Sequence, residues 1–187
     1  MKMIIAITFL GILMHAFGKD CELQPAVANF NFERYFKIPH FYVTHSKNGP
    51  KERVCREHEF KKIRTERIET LVLEVYTTKG KEHKTLLDCV ELPKSGKPGQ
   101  FSVNCDVRGT HEKIQLETSI IATDYNKYAL LQTCTQSGIL ITKEDILVLQ
   151  TSTNQVDETV KPVFRRLKYS LDEWYSRTKF NCDEVKK

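Results

Sequence analysis

The sequence predicts an all-β domain, an eight-stranded antiparallel up-and-down barrel with one C-terminal α-helix packed outside it. Three observations carry that expectation. From residue 40 to residue 152 the chain is a succession of short segments rich in β-branched residues, and turn-forming clusters divide them. Beyond Asn154 the apolar spacing changes to steps of three and four. The first two features mark strands joined by tight turns, and the third marks an amphipathic helix. Connections this short join antiparallel neighbours, and successive hairpins favour an up-and-down barrel over a sandwich. With 187 residues, 40% hydrophobic and 28% charged, the chain has the size and balance of one ordinary globular domain. Lys and Arg outnumber Asp and Glu by 29 to 24 without forming a basic block, so nucleic acid is not an expected partner.

The first eighteen residues stand apart from the fold. Lys2 opens an apolar run from Met3 to Met14, and Ala16-Phe17-Gly18 places small residues three and one positions before a cut. That is the pattern of a secretory signal peptide, which leaves a domain over 19–187 in an extracellular setting. The run is too short for a membrane span of about 20 residues, and no other segment approaches that length, so no membrane partner is expected.

An aromatic stretch from Phe30 to Phe36 leads in to the strands, which are expected at 40–46, 52–60, 66–77, 82–91, 99–107, 112–123, 127–135 and 144–152. The breaks between them carry turn chemistry, for example Lys47-Asn48-Gly49-Pro50, Thr78-Lys79-Gly80-Lys81, Pro93 to Pro98 and Asp124-Tyr125-Asn126. Val160, Val163, Phe164, Leu167 and Leu171 then line one face of a helix, with Asp157 or Thr159 as its cap and Pro162 tolerated in its first turn. Ser170 and Glu173 have capping-box spacing ahead of Trp174, so a second helical turn is expected after a kink at Tyr169-Ser170.

All six cysteines follow the cut. An even count in an oxidising compartment reads as three disulfides. Cys89 and Cys105 stand at equal offsets from a turn near Lys97, which sets them across from one another on a hairpin. The nearest cysteines are sixteen positions apart, without the close pair usual in zinc sites, so no metal is expected. The five histidines after the cut show no metal-binding spacing, and no nucleophile-elbow pattern is present, so enzymatic activity is not expected.

An eight-stranded barrel has just enough interior for one small ligand. Alternation on strand 40–46 puts Phe41, Val43 and His45 on one face, and if Phe41 plugs the base, His45 points into the lumen. On strand 127–135, Tyr128, Leu130 and Gln132 share a face, and a Tyr/Leu/Gln wall opposite His45 has the character of a ligand pocket. Which parity faces inward is open, and a filled core is the rival reading. Strand 52–60 is heavily charged and must wet one face. Arg56 turned inward suits a carboxylate ligand; turned outward it is an ordinary surface residue. Lys79, Lys81, Lys94, Lys97 and Arg108 are candidates for a partner-binding rim, and Glu74, Glu117 and Asp124 for an amine site.

Several segments in this order, with the six cysteines, resemble the triatomine salivary lipocalins of the triabin, pallidipin and triplatin group. They are Asn29-Phe30 to Tyr35-Phe36, Ile38 to Ser46, Val54-Cys-Arg-Glu57, Gly99 to Cys105, Tyr128 to Cys134 and Ile146 to Thr151. The resemblance covers the whole chain and implies the lipocalin barrel. It also implies Cys21 paired with Cys134 and Cys55 with Cys182, and an anti-haemostatic protein of saliva acting without turnover. Where lipocalins carry Gly-x-Trp, this chain has Pro39-His40-Phe41, so Phe41 is expected in place of the tryptophan. The haem-carrying members have a proximal histidine on strand 66–77, which here reads Leu73-Glu74-Val75-Tyr76, so no haem or other cofactor is expected. The partner implied is a small amphipathic, eicosanoid-like lipid held by a monomer. The alternatives are a host haemostatic protein blocked by the exterior and a biogenic amine.

Overall fold

The computed structural model describes residues 21–49, 54–64, 66–137, 144–153, 158–177 and 182. The segment read as a signal peptide lies outside them.

A five-residue helix, α1 (Phe32–Phe36), opens the fold, capped by the Asn31 side chain accepting from the Arg34 N–H. Eight strands follow: β1 (His40–Ser46), β2 (Val54–Arg64), β3 (Arg67–Thr78), β4 (Lys81–Pro93), β5 (Gln100–Val107), β6 (Lys113–Thr123), β7 (Tyr128–Ser137) and β8 (Glu144–Gln150). Each pairs antiparallel with the next, and β1 pairs with both β2 and β8. The sheet therefore closes into an eight-stranded barrel without edges. The expected strands are all present, β1 with the expected ends and the others with ends shifted by at most four residues. The largest shift is in β2, which runs on to Arg64 through a bulge between Phe60 and Lys62.

At Gly99 φ is +83°, and a Cβ there would come within 2.8 Å of Ala26 and 3.0 Å of the Phe30 ring. Glycine thus lets the lead-in segment lie flat on the β4–β5 turn. That segment is held further by the Val27 N–H donating to the Ile120 carbonyl at 2.8 Å and the Ser119 hydroxyl donating to the Gln24 carbonyl at 2.8 Å.

Helix α2 (Val160–Leu167) packs outside the barrel and stops at Lys168, whose backbone is left-handed. Thr159 occupies the N-cap but makes no side-chain capping bond, and Asp157 lies outside the described residues. After the break at Tyr169-Ser170 comes a single 3-10 turn, Leu171–Glu173, without a Ser170 capping bond. The capping-box spacing is present but unused, because the chain turns extended at Trp174 to form β9 (Tyr175–Ser176) against β1. Two residues are too few to announce a strand in sequence. The disulfides are Cys21–Cys134, Cys55–Cys182 and Cys89–Cys105, and no cysteine is free.

Candidate functional site

Among the described residues, two large hydrophobic cores stand beside a small cluster of Cys55, Val75 and Cys182. The inner one fills the barrel, with Phe41, Val43, Val103, Leu131, Leu147 and Leu149 among its members. The outer one lies between the barrel wall and the C-terminal segment, with Tyr128, Leu130, Ile146, Val148, Val160, Phe164 and Trp174. This division decides where each candidate side chain points.

One end of the barrel is closed by aromatic rings. Phe41 is fully buried, with its ring centroid 5.8 Å from Tyr35 and 6.2 Å from Phe60, while Phe36 lies 4.9 Å from Phe60 and 5.6 Å from Phe101. Above this plug is a cavity of about 90 Å3, walled by Val72, Leu87, Ile114, Ile120, Leu131, Leu147 and the Cys89–Cys105 disulfide.

Five ionisable side chains also line it: Tyr35, Arg56, His58, Glu74 and Glu91. Arg56 and Glu74 are cross-strand partners, and the Arg56 Nε forms an ion pair with the Glu74 carboxylate. His58 follows two residues deeper on β2. Burial, with the positive charge of Arg56 and then His40 adding to it, pulls its pKa down to about 3, so the imidazole is neutral. Its Nε2 is shut off from solvent without a hydrogen-bond partner. Two strands away on β4, Glu91 accepts a hydrogen bond from the Thr70 hydroxyl at 2.6 Å. Burial raises its pKa to about 7 despite that bond, and burial together with the Glu91 charge raises the Tyr35 phenol well above its ordinary value. The lumen is thus a largely apolar chamber with a compensated ion pair toward one end and, below it, a neutral imidazole and a carboxyl whose pKa is raised to about 7.

Four expected positions move. Tyr128, Leu130 and Gln132 face the outer core, and their β7 neighbours Ala129 and Leu131 belong to the inner one. Both faces of β7 are buried, so alternation does not distinguish inside from outside. Gln132 serves the lead-in segment instead: it accepts from the Gln24 N–H at 2.6 Å and donates to the Glu22 carbonyl at 3.0 Å and the Glu144 carboxylate at 2.9 Å. His45 is turned away from the lumen by a bulge between Val43 and His45, which sets it opposite Val148 of the outer core and beside Ser176 of β9. One extra residue in a strand flips every later side chain. Phe41, Val43 and Arg56 do face inward.

Of the acidic candidates, only Glu74 reaches the lumen. Glu117 pairs with Lys94, and Asp124 accepts the N–H groups of Asn126, Lys127 and Tyr128 in the β6–β7 turn. The basic candidates do not form one rim: Lys94 and Lys97 sit on the β4–β5 turn at the plugged end, and Lys79, Lys81 and Arg108 at the other. Arg108 also donates to Asp88 at 3.0 and 2.6 Å, which holds the Asp88 carboxyl below its ordinary range.

His58, Glu91 and the inward disulfide were missed, although the sequence held a signal for one of them. If Phe60 enters the core, Arg56 and His58 share its face by period two. Among the described residues no group of three or more His, Cys, Asp or Glu is placed to hold a metal ion, and no helix is long and apolar enough to cross a membrane.

A family model described as Triabin matches residues 13–163. The chain is 53% identical to pallidipin of Meccus pallidipennis, with both chains covered in full. It is 48% identical to dipetalodipin of Dipetalogaster maximus over 97% of this chain and all of that one. It is 41% identical to platelet inhibitor triplatin-2 of Triatoma infestans, again over 97% and all. Among solved structures, the tryptamine complex of the amine binding protein of Rhodnius prolixus aligns with a TM-score of 0.67 at 18% identity, covering 86% of this chain and 87% of that one. A leukotriene C4 complex aligns with a TM-score of 0.58 at 18% identity, covering 81% and 88%. At that identity the two structures speak for the fold alone.

Proposed function

Because the chain belongs to the triabin family of triatomine salivary lipocalins, binding proteins rather than enzymes, we propose that it is a secreted scavenger of a small mediator of platelet activation. The ligand is a thromboxane-like or other eicosanoid lipid, held in the barrel of a monomer. The observation that carries this reading is Arg56, a guanidinium facing a lumen walled mainly by apolar side chains, with Glu74, His58 and Glu91 as its ionisable neighbours. Its Nε edge meets Glu74, and its remaining donors suit a carboxylate. Secretion agrees with three disulfides, which persist in oxidising compartments. The relative named as a platelet inhibitor supports the physiological role.

An amine fits the lumen less well. The Glu74 carboxylate already has Arg56 as its partner, and burial drives Glu91 toward its uncharged form.

Energetically, burying several hundred Å2 of lipid tail at about 25 cal/mol per Å2 supplies of order 8 kcal/mol before the costs of immobilisation, enough for micromolar binding. The 90 Å3 cavity is smaller than the roughly 300–1,000 Å3 of pockets that enclose drug-sized ligands, so the lipid must widen it on entry. The same tightness favours a second reading, in which the exterior blocks a coagulation or contact-pathway protein.

Titration calorimetry with a stable thromboxane mimic decides between them. Stoichiometric heat at micromolar protein, weakened at least ten-fold in Arg56→Gln, is the expected result. No heat, with retained inhibition of a clotting or contact-pathway protease, establishes the second reading.

A further inference from the structure

We propose that His58 is a specificity-determining residue, whose Nε2 selects lipids bearing an uncharged oxygen function along the chain over the same lipids without one. This deepens the scavenger reading and rests on it.

The imidazole lines the barrel cavity, yet its Nε2 is cut off from water and has no hydrogen-bond partner among the described residues. A buried polar atom left unpaired costs about 1–3 kcal/mol, so such atoms are rare unless something completes them. Packing alone gives no reason for a histidine here, because the directly paired residue on β3 is Val72 and the next lumen residue on β2 is Phe60. Leucine fits such surroundings without the polar cost.

The charges around His58 define the chemistry of its partner. On its own strand stands Arg56, across on β3 is Glu74, on β4 is Glu91, and from β1 His40 adds to the forces that disfavour a proton on His58. Arg56 and Glu74 neutralise one another, and the ring itself is uncharged at neutral pH. A neutral imidazole in an apolar chamber offers one donor and one acceptor, and bonds a hydroxyl, ether or carbonyl oxygen without desolvating a charge.

Spacing supplies the second half of the argument. Residues i and i+2 on a strand share a face about 7 Å apart, so His58 stands that far below Arg56 toward the aromatic plug. A carboxylate held at Arg56 therefore brings the chain atoms several carbons away within reach of Nε2. Sites built to hydrogen-bond a substrate hydroxyl reject analogues lacking it, because their own buried groups are then left unpaired.

The test uses the full mature protein, calorimetric titration with arachidonic acid and a set of its monohydroxy derivatives, and the variants His58→Leu and His58→Gln. In the unaltered protein at least one hydroxylated derivative is expected to bind about ten-fold tighter than arachidonic acid. His58→Leu should reduce that ratio below three-fold while leaving arachidonic acid affinity unchanged or improved, with thermal stability undiminished. His58→Gln, which keeps a donor and an acceptor, should retain most of the ratio. A ratio that survives in His58→Leu, equal losses for all lipids, or no hydroxyl preference in the unaltered protein overturns the assignment. Absence of heat with every lipid overturns the scavenger reading, a result distinct from the others.

Discussion

Strands β5 and β8 belong to the same barrel but have different outer neighbours. Along β5 buried and more exposed residues alternate from Val103 onward, whereas β8 is buried from Asp145 to Gln150. Water covers the outer face of β5; Val160, Phe164 and Trp174 cover that of β8 and of β7 beside it. Hydrophobic alternation reports which face is inside only where the other face is wet. A strand buried on both sides carries the same letters in either orientation.

The sharpest way to break this contrast is to truncate adjacent leucines on β7. Leu130 is fully buried in the outer core, and Leu131 is 7% exposed in the lumen wall. Leu130→Ala and Leu131→Ala should each cost about 2–5 kcal/mol of stability, read from urea midpoints. Only Leu131→Ala alters the chamber, so only it should change lipid affinity. A Leu130→Ala variant whose affinity shifts more than three-fold while that of Leu131→Ala does not means that the assigned faces are reversed.

How much was legible follows the same division. All eight strands could be read, because Asn, Gly, Pro and Asp clusters punctuate them. Cys89–Cys105 followed from hairpin offset alone, and its register, Cys89 opposite Cys105, is that of the structure. Arg56 could be placed inward or outward but not decided, because it shares strand 52–60 with five other charged or histidine side chains. The His45 position depended on a bulge after Val43, which nothing in Val43-Thr44-His45-Ser46 announces. Tyr128, Leu130 and Gln132 depended on knowing that α2 and Trp174 would cover β7, a long-range packing fact absent from the strand itself. Glu91 was hidden because it stands near a strand end, in a stretch resembling a solvated edge.

A second comparison separates two titrating groups of the lumen by the sign of their effect on stability. The folded-state pKa of His58 is pulled down to about 3 from 6.5, so on acidification the unfolded chain takes the proton first. Stability linked to His58 is present above pH 6.5 and is lost as pH falls from 6.5 toward 3. The folded-state pKa of Glu91 is pushed up to about 7 from 4.5, so the unfolded chain ionises first, and stability linked to it is lost as pH rises from 4.5 toward 7. Each slope is at most about 1.4 kcal/mol per pH unit, and between pH 4.5 and 6.5 the two oppose one another. Denaturation across pH in single variants should uncover them. With Glu91→Gln the stability linked to these residues climbs from pH 3 to 6.5 and then levels, and with His58→Leu it declines from pH 4.5 to 7. Identical profiles in both variants and the unaltered protein mean that neither group is held in its uncharged form by burial.

The smallest effect tests the outer face by its polar residue. Gln132 is almost completely buried, and it joins the Gln24 N–H, the Glu22 carbonyl and the Glu144 carboxylate, tying the lead-in segment to β7. In Gln132→Ala those three groups lose a partner, but Glu22 borders an open surface groove along the lead-in segment, which lets water replace part of what is lost. The cost is therefore about 1 kcal/mol rather than the full penalty of a sealed site. The Cys21–Cys134 disulfide still anchors the segment, so it should loosen without leaving the barrel. Faster hydrogen exchange at the Gln24 and Val27 amides, with the barrel strands unchanged, is the expected signature. Lipid affinity should stay within two-fold of the unaltered protein. A ten-fold loss of affinity with exchange unaltered means that the glutamine reaches the ligand, and that the inner wall of β7 is the face bearing Tyr128, Leu130 and Gln132 after all.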